Sequence, residues 1–189
     1  GVHIGGWLYW HLNHWHIYKD IEDTLNHDIV RKFTNPDLRD NEWMIQENLT
    51  QAEIGKNGLL IFGSRRLGKT EFESSYVGRS ATIYEGSENL VTGGNWPDID
   101  LITSKLDKGL SAVHPYFKFE RIGDNPRKEM SLGLKHKNFR RVEWSKILIR
   151  NFDDGKNTEA AAGTTAKSFL IDEIGKFPFL ESFNAAKPS

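Results

Sequence analysis

Two short runs of residues carry the types and spacing that chemistry on a polyphosphate needs. The first, Gly63-Ser64-Arg65-Arg66-Leu67-Gly68-Lys69-Thr70, matches G-x-x-x-x-G-K-[ST] without a gap. In such a run the glycines let the backbone curl until several N–H groups point inward at one anion. Lys69 then supplies a charge for the β- and γ-phosphates, and the Thr70 hydroxyl is a candidate ligand for Mg²⁺. The preceding Leu59-Leu60-Ile61-Phe62 reads as a buried strand. A helix beginning near Lys69 would add its positive N-terminal end to the site.

The second run is Lys167-Ser168-Phe169-Leu170-Ile171-Asp172-Glu173, an apolar strand ending in two carboxylates. Asp172 is the candidate to hold Mg²⁺ through water, and Glu173 the candidate to orient and activate an attacking water. The motif is short, and its weight comes from its place downstream of the first. The two together predict an ATPase core that uses ATP and Mg²⁺.

These residues need a scaffold that brings distant strand ends together. Apolar strands alternating with helical stretches predict an α/β fold with a mainly parallel sheet covered by helices. In such sheets ligands sit at the carboxyl ends of the strands, where both runs fall. The chain has 189 residues, enough for one domain with a sizeable core. Its net charge is −1, so any nucleic-acid contact must come from a local patch. The absence of cysteine removes disulfides, zinc–thiolate sites and thiol catalysis, and fits a reducing compartment. No apolar run approaches the ~18–20 residues of a membrane span, and the start is not a signal peptide. The chain begins at Gly1 rather than Met and ends in a loop-like 184–189, which suggests an excised domain.

Residues 1–50 read as an aromatic and helical lead-in, and 51–189 as the ATPase core. Gly5 to Ile17 carries Trp7, Tyr9, Trp10 and Trp15, a cluster that suits a core or a docking face better than a ligand site. His11, His14 and His16 share neither one helix face nor one strand face, and no carboxylate pair completes a metal set. A helix is predicted from Asn35–Asp40 through Leu49, with Trp43, Ile45 or Gln46, and Leu49 on one packing face. Arg39, Trp43 and Gln46 are alternative candidates for adenine support. After Thr70 a helix continues through Val77, and Ala81 to Gly86 reads as a strand closed by a turn. Another helix starts at Asn95–Asp100 and runs through Leu110, with Pro97 in its first turn. His114 to Arg141 is polar and loop-rich, and Lys135, His136, Lys137, Arg140 and Arg141 form its densest basic run. This run reads as a solvated loop or hairpin face, with DNA or partner contact the alternative. Val142 to Phe152 reads as a strand before the turn Asp153-Asp154-Gly155.

The run Ser64 to Thr70 resembles the arginine-bearing P-loop of the large terminase subunits of tailed bacteriophages. Gly163-Thr164-Thr165 leading into Phe169 to Glu173 resembles their Gly-Thr turn before the Walker B strand. The aromatic start and Pro36 to Trp43 are similar to the lead-in of some members. The resemblance implies a P-loop NTPase fold of the ASCE type and a motor that packages viral DNA. It implies a homo-oligomeric ring on the portal protein, with double-stranded viral DNA and the small terminase subunit as partners. The place of action would be the host cytoplasm, transiently on the procapsid. By the motif match, Gly63, Ser64, Arg65, Arg66, Leu67, Gly68, Lys69 and Thr70 would bind the nucleotide. Arg65 would stabilise the γ-phosphate, with Arg66 the runner-up. Lys69 and Glu173 would complete the catalytic set, and Thr70 and Asp172 would serve the metal.

Members of that family carry a Ser/Thr-rich coupling motif and a ribonuclease-H-type nuclease domain after Walker B. Neither is recognisable here, so nuclease activity does not carry over. A helicase or RecA-like ATPase is the alternative enzyme, though no helicase motif lies between the two runs. A nucleotide-dependent assembly module is the alternative outside enzymes, and Glu173 favours hydrolysis over it.

Overall fold

In the computed structural model, which describes residues 6–23, 25–61, 68–114, 120–125, 129–135, 141–151 and 166–172, buried apolar side chains recur at helical and strand spacings. The helix Trp96–Ala112 (α4) shows the helical spacing most clearly, and it is the fourth among the described residues. Asn95 caps it by accepting the Asp98 N–H at 3.0 Å, and Pro97 falls in the first turn, where its missing N–H costs nothing. Ile99, Ile102 and Leu106 then line one fully buried face. The others are α1 (Trp7–Asn13), α2 (Asp40–Ile54) and α3 (Lys69–Ile83).

The strands are β1 (Ile17–Glu22), β2 (Ile29–Thr34), β3 (Glu88–Gly93), β4 (Glu120–Asn125), β5 (Glu129–Lys135), β6 (Arg141–Asn151) and β7 (Ser168–Ile171). β1 and β2 form a separate antiparallel hairpin. The other five make one sheet in the order β4-β5-β6-β3-β7. It is antiparallel over β4, β5 and β6, and parallel over β6, β3 and β7. The parallel part is the one that bears Asp172. The core joins Val91, Ile147, Ile149 and Leu170 of the sheet to Val77 and Ala81 of α3 and Ile99 of α4. Trp10, Trp15 and Ile17 of the lead-in enter the same core and Trp7 is buried as well, so the tryptophans of the cluster are packing, while Tyr9 is exposed.

Four sequence expectations are corrected. Ala81 to Ile83 continue α3 rather than forming a strand, because Val77 and Ala81 lie one helical turn apart on the buried face. The chain turns at Gly86 (φ 68°), and the strand follows at Glu88–Gly93. The polar stretch from His114 contains a hairpin, β4–β5, whose second strand pairs with β6. The expected packing face of α2 is open: Trp43 is 56% exposed, and the buried residue of this helix is Glu42. Leu59 to Ile61 form no strand among the described residues, and Leu60 is exposed.

Candidate nucleotide site

The site starts where a glycine turns into a helix. Gly68 has φ 77°, a left-handed conformation that side chains with a Cβ rarely adopt, and its carbonyl accepts the Glu71 and Phe72 N–H groups at 3.0 and 3.1 Å. Lys69 and Thr70 are thus the first residues of α3, at the positive N-terminal end of its dipole. α1 braces this turn. The Trp7 ring lies 3.9 Å from that of Phe72 (centroid to centroid) and stacks on His11 at 5.2 Å. From the other side come Arg39 and Glu42, at the start of α2. A Cβ on Gly68 would stand 3.3 Å from Arg39 Nη1 and 3.7 Å from Glu42 Oε1, so the glycine lets these groups approach closely.

β3 and β7 run parallel and deliver their carboxyl ends together. The N–H of Lys167 binds the Glu88 carbonyl at 2.6 Å, and that of Asp172 binds the Thr92 carbonyl at 3.1 Å, so both ends of β7 are tied to β3. Thr70 Oγ1 donates to Asp172 Oδ2 at 3.2 Å, across 102 positions of sequence. A hydroxyl and a carboxylate meeting at a helix N-terminus are hard oxygen donors. They suit Mg²⁺, which takes one or two protein ligands and completes its shell with water and phosphate. Among the described residues no cluster of three or more His, Asp or Glu offers a protein-only cage.

A carboxylate that sequence reasoning did not single out stands beside this pair. Glu73 lies one turn beyond Lys69 on α3, and its Oε2 is shut from solvent with no hydrogen-bond partner among the described residues. Burial pushes its pKa up to about 8. The charge of Asp172 adds to the rise, and Lys69 and Lys105 oppose it. Lys105 of α4 reaches across to Glu71 at 3.1 Å and ties the two helices next to the site. The signal in sequence was only the i, i+4 spacing of Lys69 and Glu73, which also fits a solvated helix face.

Of the residues expected in the site, Lys69, Thr70 and Asp172 fall together at one end of the sheet. Gly63 to Leu67, with Arg65 and Arg66, and Glu173 lie outside the described residues, as do Asp153 to Gly155 and Gly163 to Thr165. Of the adenine candidates, Arg39 is beside Gly68, and Trp43 and Gln46 line a shallow groove on α2 with Glu47, Thr50 and Gln51. The basic run sits where β5 connects to β6, with 136–140 outside the described residues. His11 is fully buried, and burial lowers its pKa to about 4. Among the described residues no helix is long and apolar enough to cross a membrane.

No model of a known protein family matches the chain, and no curated protein is similar to it in sequence. Solved structures do match. The ATPase domain of the large terminase of Thermus phage P74-26 aligns with a TM-score of 0.53 and 19% identity. The alignment covers 65% of this chain and 50% of that one. A mutant form of the same domain aligns equally well, with the same TM-score, identity and coverage. This chain thus matches about half the length of its structural neighbours. Over the part that aligns, it has the fold of a phage large terminase ATPase domain.

Proposed function

We propose that this chain binds and hydrolyses ATP as the motor domain of a phage large terminase, powering movement of double-stranded viral DNA into a procapsid. The observation that carries the reading is the Thr70–Asp172 contact at 3.2 Å. It joins the end of a G-x-x-x-x-G-K-T run to the end of an apolar strand, the pairing a P-loop ATPase of the ASCE type requires. In this reading the backbone of Gly63 to Gly68 cradles the phosphates, and Lys69 neutralises the β- and γ-phosphate oxygens. Arg65 stabilises charge on the γ-phosphate. Glu173 accepts a proton from the water that attacks γ-phosphorus, and the β–γ bridging oxygen leaves with ADP. Thr70 and Asp172 would hold Mg²⁺, which when bound neutralises charge on the β- and γ-oxygens.

A ring of such subunits on a portal protein, supplied with DNA by a small terminase subunit in the host cytoplasm, is the assembly this reading implies. The decisive experiment is calorimetric titration of ATP·Mg²⁺ into the parent chain and Lys69→Ala. The expected result is binding that weakens tenfold or more in the variant. Equal affinities would refute the phosphate site.

A further inference from the structure

We propose that Asn89 is a positioning residue: it fixes the register in which β7 docks on β3, and so delivers Asp172 to Thr70. The functional weight of this rests on reading those two residues as the metal ligands. β7 is four residues long; its Phe169 and Leu170 stand opposite the apolar Leu90 and Val91 of β3, and its Ile171 opposite Thr92. In a buried parallel pair, both faces of each strand are apolar. A slip by one residue would exchange one apolar side chain for another, so the hydrophobic pattern specifies the register poorly. The same slip would move Asp172 by about 3.3 Å and turn it to the other face of the sheet.

Polar atoms break this degeneracy. Asn89 is fully buried on β3, directly opposite Ser168 of β7 and Ile147 of β6. Its Oδ1 accepts from Ser168 Oγ at 2.7 Å, and its Nδ2 donates to the Lys146 carbonyl and to Ser87 Oγ, both at 3.2 Å. One side chain therefore clamps three adjacent strands. A slipped β7 would put Phe169 or Lys167 opposite Asn89. Phe169 has no polar side-chain atom. Lys167 would carry its ammonium into the interior, away from the Tyr84 ring it covers at 3.9 Å.

The test compares the parent with Ser168→Ala, Ser168→Thr and the double variant Asn89→Val/Ser168→Ala. The double variant removes the Asn89–Ser168 pair as a unit, so neither of those two side chains is left as an unpaired buried polar group. Amide hydrogen exchange at Asp172 reads the docking of β7 without nucleotide, and Mg²⁺ half-saturation of ATP binding reads the site. In Ser168→Ala and the double variant, Asp172 should exchange about tenfold faster, and Mg²⁺ half-saturation should rise by a similar factor. Exchange at Leu106, on α4 away from the clamp, should not move, and Ser168→Thr, which keeps the hydroxyl, should behave as the parent. Unchanged exchange at Asp172, exchange that rises equally across the core, or unchanged Mg²⁺ half-saturation would each overturn the proposal. If the parent binds no ATP, it is the ATPase reading that fails. Local exchange at Asp172 then supports the register role, and its absence refutes it.

Discussion

The indole of Trp15 occupies the space that a side chain on Gly109 would need. A Cβ there would collide with the six-membered ring of Trp15, and one on Gly78 would approach Trp15 Cζ3 to 2.5 Å. Trp15 is thus set in a notch between a glycine of α3 and a glycine of α4, and its own exposure is zero. The ring cannot step aside in a close-packed interior. Gly109→Ala should therefore destabilise the fold by about 1–3 kcal/mol, lowering the melting temperature by several degrees. Adding Trp15→Phe should recover part of that loss, because the smaller ring vacates the notch. Thermal denaturation of the two variants checks both statements.

Asp172 and Glu173 are adjacent carboxylates with different expected duties, and substitutions should separate them. Glu173→Gln should keep ATP affinity and lose about 10²–10⁴ in turnover, as for removal of a general base. Asp172→Asn should instead raise the Mg²⁺ concentration needed for binding. Binding isotherms at several Mg²⁺ concentrations, with steady-state hydrolysis, distinguish the two. Parent-level turnover in Glu173→Gln would place the catalytic carboxylate elsewhere.

Arg65 should prove the γ-phosphate arginine and Arg66 should not. A guanidinium offers fixed donors that match phosphate oxygens, and a group in this role is worth about 10³–10⁵ in rate. Arg65→Ala should therefore lose far more turnover than Arg66→Ala at saturating ATP. Equal, mild losses would remove both from the active site.

The chain should respond to pH in opposite directions through two buried groups. Glu73 holds its proton up to about pH 8, against an ordinary value of 4.5. The folded state then binds a proton that the unfolded chain has released, so this contribution is complete below pH 4.5 and disappears as pH rises through 8. His11 has the reverse sign, lowered from 6.5 to about 4. Its contribution is complete above pH 6.5 and disappears as pH falls through 4. Between pH 6.5 and 8.5, without nucleotide or metal, the parent should lose melting temperature while Glu73→Gln stays flat. The variant should lead by at least about 3 °C at the upper end. Below pH 6, His11→Leu should flatten the acid limb. A parent whose melting temperature does not change from pH 6.5 to 8.5 would show that Glu73 is ionised in the folded state.

What could be read from the sequence was whatever had a local cause. Lys69, Thr70 and Asp172 stood out because phosphate and metal chemistry demand those types at those places, and all three meet in the fold. α4 was legible because Asn95, Pro97 and the Ile99–Ile102–Leu106 spacing agree with one another. α3 was cut short because Thr82 and Ile83 are β-branched and favour strands, yet packing of Val77 and Ala81 keeps them helical. β4 and β5 were missed because strands with Gly123, Asp124 and Asn125 take their shape from pairing partners rather than their own propensity. Glu73 was invisible for a related reason. A carboxylate on a helix looks solvated until tertiary packing closes over it.

The strand order has a consequence for how the chain is born. β3 sits between β6 and β7, and both partners lie later in sequence. Thr70 precedes Asp172 by 102 positions, so at about 5–20 residues per second a ribosome needs about 5–20 s to supply the second half of the site. Once made, β3 is a hydrophobic strand with two open hydrogen-bonding edges, the feature that invites pairing between chains. β6 arrives first and closes one edge. The other stays open until β7 emerges, so a growing chain keeps an edge that can pair with another chain until Asp172 can meet Thr70.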